Sequence, residues 1–350
     1  MTTDTALAPG VVRTSVRVRE LAQRGIGTLI LAALAVWLIV NLVHAPAQFF
    51  SSAIDGLSNG ALYALIALGY TLVYGIIELI NFAHGDLFML GTIFSGFMLT
   101  NWLGQDSFGL PGALAFVLTL LCVMVFCGGM NVTIEFFAYR RLRRAPKLAP
   151  LITAVGVSFI LQFIGLKWNG STPKQWPSVL PQGAWEIGGV RIYYSFVAVL
   201  LVTAPLLLLL TWIVASTKQG KAMRATAQDR DAARLMGINV NRTIAFTFGV
   251  GGALAGAAGL MYQQVIGTTQ FNLGYQLGLI AFTSAVLGGI GNLTGAVLGG
   301  LLIGLIQGFN DGLPYSFGQQ WSQSVVFTVL IMLMVFRPAG LLGQTTKEKV

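Results

Sequence analysis

Residues 69–91 read GYTLVYGIIELINFAHGDLFMLG. An apolar run is broken here by the more polar stretch 80–86, INFAHGD, and a second apolar run follows it. Asn81 and Asp86 can satisfy backbone groups that such a break releases, and Gly85 permits a tight turn. The stretch therefore predicts two apolar helices that are joined by a tight turn.

The composition indicates that lipid, not water, is the solvent of this chain. Hydrophobic residues make up 55% of the 350 residues and charged residues 9%, whereas soluble domains carry about 25% charged residues. The net charge of +9 does not indicate a nucleic-acid partner, because the basic residues stand in short clusters between long uncharged runs. Cys122 and Cys127 lie within one apolar run and form neither a disulfide framework nor a recognisable metal pair.

A helix needs about 20 apolar residues, at a rise of 1.5 Å each, to cross a bilayer. Ten apolar stretches of the sequence are of about this length. We predict an all-α integral membrane protein with about ten transmembrane helices, in a range of about 8–10. The long uncharged region 271–310 is divided into two spans at 288–292, GGIGN. The other stretches are 26–43, 56–77, 87–103, 108–134, 148–166, 192–214, 243–266 and 321–336.

The basic residues predict the orientation of these spans. With the N-terminus inside, 18 of the 21 lysines and arginines fall in inner segments, and only Lys167, Lys174 and Arg191 lie outside, all in one loop. This asymmetry follows the positive-inside rule and favours an even number of spans with both termini in the cytoplasm. We therefore expect a cytoplasmic extension at 1–24, a single transmembrane domain at 25–343 and a cytoplasmic tail at 344–350.

The first apolar stretch has two interpretations. Basic residues, an apolar run and the sequence Ala45-Pro46-Ala47 resemble a signal peptide with its cleavage site. The apolar run of about 18 residues is longer than the usual signal core of about 7–15. We expect a retained membrane anchor and leave cleavage open.

Glycine is frequent and recurs at four-residue spacing. The 43 glycines are about 12% of the chain, against an average near 7%. In lipid, small residues let helix backbones approach closely, so these repeats predict contacts between helices. The repeats are Gly252 with Gly256, Gly295 with Gly299, and Gly300 with Gly304 and Gly308.

The chemistry of an enzyme or of a self-powered pump is missing. A phosphate-binding loop needs a glycine-rich stretch that ends in Gly-Lys-Ser or Gly-Lys-Thr, but the Gly220-Lys221 pair is followed by Ala222. The two histidines, His44 and His84, pair with no nucleophile motif or metal-ligand spacing, and His84 is expected to cap or pack. We predict no catalytic residue, no metal site and no enzyme activity.

Ion-coupled carriers usually bury carboxylates or histidines within their spans. Here the acidic residues Asp55, Glu78, Asp86 and Glu135 lie at the predicted ends of spans. This placement argues against an ion-coupled carrier.

A loop between two spans is rich in tryptophan and proline. Trp168, Trp176 and Trp185 lie in this predicted outer loop, and tryptophan is enriched at the lipid–water boundary. The loop is either an interfacial segment that folds back on the membrane or a docking surface for an external partner.

A polar inner segment interrupts the apolar pattern. Residues 217–242 read TKQGKAMRATAQDRDAARLMGINVNR. They predict a helix of about 16 residues over 221–236, with Gly237 as its C-terminal cap. Small and apolar side chains lie among the charges, which suits docking into a groove of a partner, although a solvated connector is the alternative.

At these stretches the sequence resembles the permease subunits of branched-chain amino acid ABC importers of the LivH type. The likeness runs over about 54–343 and rests on ALGYTLVYGIIELINFAHGDLFMLG (67–91), GKAMRATAQDRDAARLMGINVNRTIAFTFGVGGALAGAAG (220–259), AFTSAVLGGIGNLTGAVLGGLLIG (281–304) and FRPAGLLG (336–343). The extension 1–24 and the tryptophan-rich loop depart from the family pattern. The resemblance implies the ABC importer permease fold and a loop at about 216–242 that contacts an ATPase.

The resemblance also implies the partners. They are a homologous second permease subunit, two cytoplasmic ATPase subunits that hydrolyse ATP, an extracytoplasmic substrate-binding protein and the lipid bilayer. The chain itself is expected to bind no cofactor and no nucleic acid. The candidate ATPase-coupling residues are Gly220, Lys221, Arg224, Ala225, Asp229, Ala232, Arg234, Gly237 and Ile238. The candidate passage or turn residues are Asn59, Tyr63, Asn81, His84, Gly85 and Asp86.

We therefore expect the permease subunit of an ABC importer that moves branched-chain or other small amino acids across the bacterial cytoplasmic membrane. A urea or short-amide permease of the same family is the first alternative. A channel or ion-coupled carrier that works without partners is the second. The sequence does not decide the substrate, or whether the two permease subunits are identical.

Overall fold

The computed structural model describes residues 25, 28–29, 32–78, 81–143, 145–146, 148–337 and 339–343. The predicted N-terminal extension, 1–24, and C-terminal tail, 344–350, lie outside the described residues. Helices dominate the described part of the chain, in keeping with the apolar pattern of the sequence.

Twelve helices follow one another along the described chain. Their order and bounds are α1 (Ala32–His44), α2 (Pro46–Ile77), α3 (Ala83–Phe97), α4 (Leu110–Leu142), α5 (Leu148–Asn169), α6 (Tyr194–Ser216), α7 (Lys218–Gln228), α8 (Arg230–Leu235), α9 (Val240–Ile266), α10 (Leu273–Gly288), α11 (Leu293–Gly312) and α12 (Ser322–Phe336). A π-helical turn at Met98–Trp102 extends α3, and another at Glu135–Tyr139 lies within α4.

Each of the ten predicted spans coincides with one of these helices. In the described residues, seven helical segments are long and apolar enough to cross a membrane, namely α2, α4, α5, α6, α9, α11 and α12 with its preceding 3₁₀ turn. Helices α1 and α10 are apolar but shorter, with 13 and 16 described residues, and α3 needs its π-helical turn to reach a comparable length. The multi-pass helical architecture is confirmed, and the count of ten stays a prediction.

Two long helices, α2 and α9, form the centre of the bundle. We compared the most apolar 18 residues of each helix. Of these residues, 89% are buried in α2 and 72% in α9, but only 28% in α4 and in α5 and 17% in α6. The exposed residues of those outer helices are large and apolar. A soluble protein does not present such a surface, so these faces suit contact with lipid.

Glycine allows α11 to lie directly against α2. A Cβ added to Gly300 would lie 2.6 Å from the Ala64 nitrogen, and Gly304 and Gly308 meet Gly60 and Gly56 in the same way. The other predicted repeats also mark contacts, of α9 with α4 and of α11 with α10. The predicted role of the glycine repeats in helix packing is confirmed.

Helix α1 packs on the turn that follows α11. Asn41 is fully buried, its Oδ1 accepts a hydrogen bond from the Tyr315 amide at 3.3 Å, and its Nδ2 donates to the Trp37 carbonyl at 2.9 Å. The ring of His44 meets that of Tyr315 edge to face at 5.7 Å. Retention of this first segment as an anchor stays a prediction.

The tryptophan-rich loop is folded into short strands. Strand β1 (Lys174–Gln175) pairs with β4 (Thr268–Thr269), and β2 (Ala184–Ile187) pairs with β3 (Val190–Tyr193), both antiparallel. Trp176 is buried, and its Nε1 donates to Thr269 Oγ1 at 2.9 Å. Its indole packs against Gly96 of α3, so this tryptophan faces the protein interior, and the position of the loop at the membrane surface stays a prediction.

Two of the acidic residues predicted at span ends lie inside helices that are longer than the predicted spans. Asp55 lies well inside α2, which begins at Pro46, and Glu135 lies within α4. The two helices continue beyond their charge-free stretches, since α2 has 32 residues and a span needs about 20. Glu135 is fully buried and forms ion pairs with Arg140, at 2.9 Å, and with Arg143.

Candidate functional site

The polar segment 217–242 forms two helices where one was predicted. Helix α7 ends at Gln228, and Asp229 adopts extended backbone angles and caps α8. Its carboxylate accepts hydrogen bonds from the amides of Asp231, at 2.8 Å, and Ala232, at 3.0 Å. These two bonds lower the pKa of the Asp229 carboxyl, and the bond from the Ala232 amide has the larger effect. An aspartate that binds the backbone ahead of it starts a new helix, which explains the break.

Helix α7 is held tightly to the end of α6. The Thr217 hydroxyl accepts a hydrogen bond from the Gly220 amide at 3.0 Å. A Cβ on Gly220 would strike the carbonyl groups of Ile213 and Val214. Any larger side chain at Gly220 would therefore separate α7 from α6.

Helix α8 is joined to the C-terminal end of α2. The Arg230 side chain donates to the Ile76 carbonyl at 2.9 Å, and so satisfies one of the carbonyls that a helix end leaves free. Ala233 of α8 and Met223 of α7 are both buried at 3% exposure. The polar segment is therefore fixed to the central helix α2 and does not hang from the bundle as a loose connector.

The far end of this segment presents two apolar side chains to solvent. Leu235 is 89% exposed and Met236 is 82% exposed. They precede Gly237, whose φ of +81° fits the predicted helix-ending glycine. Ile238 is partly buried and leads into α9. We call Leu235 and Met236 the apolar tip.

The predicted coupling residues divide into two groups. The inward group, which is buried or partly buried, comprises Gly220, Ala225 and Ile238. The exposed group comprises Lys221, Arg224, Asp229, Ala232, Arg234 and Gly237. Ala225 packs against the core, so it offers no docking face. The apolar tip was absent from the predicted set, although two apolar residues directly before a capping glycine in a polar segment are a usable signal.

The turn between α2 and α3 lies earlier than predicted. Helix α2 ends at Ile77, and Glu78 takes a left-handed conformation with φ of +56°. Gly85 lies inside the first turn of α3, where a Cβ would come within 2.8 Å of the Gly278 Cα. The expectation that Gly85 permits the turn is wrong, because this glycine admits helix α10 to close contact.

The polar residues around this turn bond to side chains of distant helices. Asn81 Oδ1 accepts a hydrogen bond from the Tyr139 hydroxyl at 2.7 Å, and Asp86 accepts one from the Ser158 hydroxyl. His84 is fully buried, with its ring 4.8 Å from that of Tyr70. The predicted capping of the broken backbone by the Asp86 side chain is not seen, because the carboxylate turns towards α5.

The other two candidate passage residues lie far from this cluster. The Tyr63 hydroxyl donates to Gln307 Oε1 at 2.7 Å and joins α2 to α11, while Asn59 is half-buried one turn earlier. Tyr63 is about 20 Å along the helix axis from Ile77. The six candidates therefore form two separate groups and not one binding site. Within the described residues, no three His, Cys, Asp or Glu side chains are placed to hold a metal ion.

Comparisons with known proteins agree with the resemblance read from the motifs. The family described as branched-chain amino acid transport system / permease component matches residues 52–335. The permease protein BraD of the high-affinity branched-chain amino acid transport system of Pseudomonas aeruginosa is 39% identical over 309 residues, which cover 87% of this chain and 98% of that protein.

The corresponding permease protein LivH of Escherichia coli is 36% identical and covers 86% of this chain and 98% of its own length. Among solved structures, PsaBC from Streptococcus pneumoniae in complex with Fab aligns with 86% of this chain and 95% of that chain, at 16% identity and a TM-score of 0.42.

Proposed function

The chain belongs to the branched-chain amino acid transport system permease family, and on this premise we propose that it is the permease subunit of an ABC importer for branched-chain amino acids. The support is that the curated relatives match over 98% of their own length and carry that substrate in their names. The chain is a multi-pass membrane protein and not an enzyme. We place it in the bacterial cytoplasmic membrane with both ends of the chain in the cytoplasm.

The apolar tip carries the proposal that ATPase subunits act on this chain. Leu235 and Met236 are almost fully exposed at the end of a segment that is otherwise polar. Water opposes such exposure, and a groove on a partner protein removes it. The exposed charge of Arg234, directly before the tip in sequence, suits the polar rim of a docking site.

The same segment is built to pass a movement to the centre of the bundle. It is joined to α2 by Arg230, to α6 by Thr217 and to α9 by the chain itself. Among the seven helices that are long enough to cross a membrane, α2 and α9 are the two most buried. A partner that shifts the tip therefore shifts the helices around which the others pack, and such a shift can open a passage to each side in turn.

The full assembly that we propose has four kinds of contact. One of two cytoplasmic ATPase subunits binds at about 216–242, and the ATPase subunits hydrolyse the ATP, so this chain binds no cofactor. A second homologous permease subunit lies beside it, an extracytoplasmic binding protein delivers the substrate, and lipid surrounds the rest. Asn59 and Tyr63 are the proposed passage residues, whereas Asn81, His84, Gly85 and Asp86 are proposed to fix the packing of α3.

Transport and ATP hydrolysis test the role of the apolar tip. We expect Leu235→Asp with Met236→Asp to abolish binding-protein-stimulated ATPase activity and uptake in reconstituted complexes. Membrane insertion should persist, because neither side chain supports the fold. Gln228→Asp, an exposed change on the same segment, is the matched control and should leave both activities near wild type. Wild-type activity of the tip variant would contradict the proposed coupling.

Uptake into liposomes tests the partner requirement. The carrier alternative needs a substrate site within the spans, usually built from broken helices and buried polar groups. We expect the purified chain alone to give no uptake of leucine, isoleucine or valine, with or without an ion gradient. Gradient-driven uptake by this chain alone would instead establish the carrier.

A further inference from the structure

Five arginines converge on one cavity at the inner end of α4. The cavity has a volume of about 590 Å³, and Arg140, Arg141, Arg143, Arg230, Arg234 and Asp231 line it. The arginines come from two segments that are far apart in sequence, the end of α4 and helix α8. Val240 and Ile244 of α9 provide an apolar wall.

The carboxylates of this region do not balance the arginines. Glu135 is shared by Arg140 and Arg143, and Asp231 pairs with Arg234 at 2.8 Å. Two carboxylates thus face five guanidinium groups. Glu78 lines only a neighbouring cavity of about 430 Å³. The arginine cavity keeps a clear excess of positive charge, which favours an anionic ligand.

The central guanidinium groups are held in fixed positions. Arg143 is 11% exposed at its side chain and donates to Asn241 Oδ1 at 2.7 Å as well as to Glu135. Arg230 is fixed by its bond to the Ile76 carbonyl. Both arginines also line the neighbouring cavity, together with Thr226, whose buried hydroxyl finds no hydrogen-bond partner among the described residues. Pre-positioned donors of this kind bind an anion with little loss of side-chain entropy.

The apolar flank of the cavity points to the source of the anion. Phe136 and Phe137, about one turn before Arg140 on α4, are 47% and 65% exposed. The Arg140 guanidinium lies 4.7 Å from the centre of the Phe136 ring. A molecule with a charged head and apolar chains can place the head among the arginines and the chains along these rings.

We propose that the arginine cavity is a binding site for a phosphate group, supplied by the headgroup of an anionic phospholipid. Guanidinium groups bind phosphate through paired, charge-assisted hydrogen bonds, and several of them can share its oxygens. The site is formed jointly by α4, α8 and α9, so a bound headgroup links the polar inner segment to the outer bundle. The inference concerns lipid binding and not transport, and it does not depend on the substrate.

Native mass spectrometry of the full chain with phosphatidylglycerol and phosphatidylcholine tests this site. We expect wild type to retain phosphatidylglycerol more tightly than phosphatidylcholine. Arg141→Gln and Arg230→Gln should each weaken that retention by roughly ten-fold, the value of one charge-assisted hydrogen bond. Arg242→Gln is the matched control, because it removes an exposed arginine from the same end of the bundle but outside the cavity, and it should change nothing.

Three results separate the interpretations. Equal retention of the two lipids by wild type overturns the proposal, as does full retention of phosphatidylglycerol by Arg141→Gln, an exposed position where the change leaves the fold intact. Inorganic phosphate is the competing probe. At equal concentrations of the two, retention of phosphatidylglycerol supports the lipid as the source, whereas its complete displacement shows that the site prefers free phosphate and overturns the lipid.

Discussion

A single methyl group at Gly300 should loosen the contact between α2 and α11. In Gly300→Ala the new Cβ would lie 2.6 Å from the Ala64 nitrogen and 2.7 Å from its Cα, whereas ordinary contact begins at 3.4 Å. The helices must therefore separate by about 0.8 Å at this point. The obstacle is backbone, so no side-chain rotation relieves it. We expect a loss of about 1–3 kcal/mol in stability, the usual range for overpacking.

Gly129→Ala is the matched control for this prediction. Gly129 also lies within a span, on α4, but a Cβ there meets nothing within 4 Å. Because alanine is the better helix former by up to about 1 kcal/mol, this variant should be unchanged or slightly more stable. Thermal unfolding of both variants in the same detergent measures the difference. The reasoning fails if Gly300→Ala is as stable as Gly129→Ala.

Three further predictions concern topology, a buried charge and pH. Cysteine at the exposed position Ser171 should react with an impermeant thiol reagent applied outside cells, and cysteine at Gln228 should not; the reverse would invert the orientation. Glu135→Gln should lower the unfolding free energy by about 3–5 kcal/mol, because a buried guanidinium loses its partner. Adding Arg143→Met should recover part of this loss. A double variant no more stable than Glu135→Gln would contradict the reasoning. Since the pKa of Asp229 is lowered in the folded state, its cap is fully formed above the ordinary value and is lost as pH falls through the lowered one. The circular dichroism of wild type should change over that acid range, and the change should be smaller in Asp229→Asn, which has no carboxyl to titrate; equal changes in the two would contradict this.

The apolar pattern was sufficient to place the helices because each span is a local property of the sequence. The length of an uncharged run predicts a helix in lipid whatever its neighbours are, and glycine at four-residue spacing predicts a face that another helix approaches. Gly300 and Gly304 illustrate this, although the spacing did not reveal that α2 is their partner. The identity of the partner helix depends on the arrangement of the whole bundle.

The errors arose where a residue serves a contact that is distant in sequence. Asp86 looked like a turn residue, but its carboxylate bonds to Ser158, 72 residues away. The indole of Trp176 likewise bonds to Thr269, 93 residues away, and the sequence of its loop does not reveal this contact. The break at Asp229, by contrast, is local, and aspartate is a preferred N-cap residue. That break could have been predicted by weighing the capping tendency of aspartate against the length of the helix.

The contact of α2 with α11 can form only late in the synthesis of the chain. Tyr63 and its partner Gln307 are 244 residues apart, and at the usual pace of roughly 5–20 residues per second a ribosome needs roughly 10–50 s to bridge that distance. During this interval the glycine face of α2 has no partner within the chain. Substitutions on that face should therefore lower the amount of protein that matures in the membrane, even where the finished molecule tolerates them.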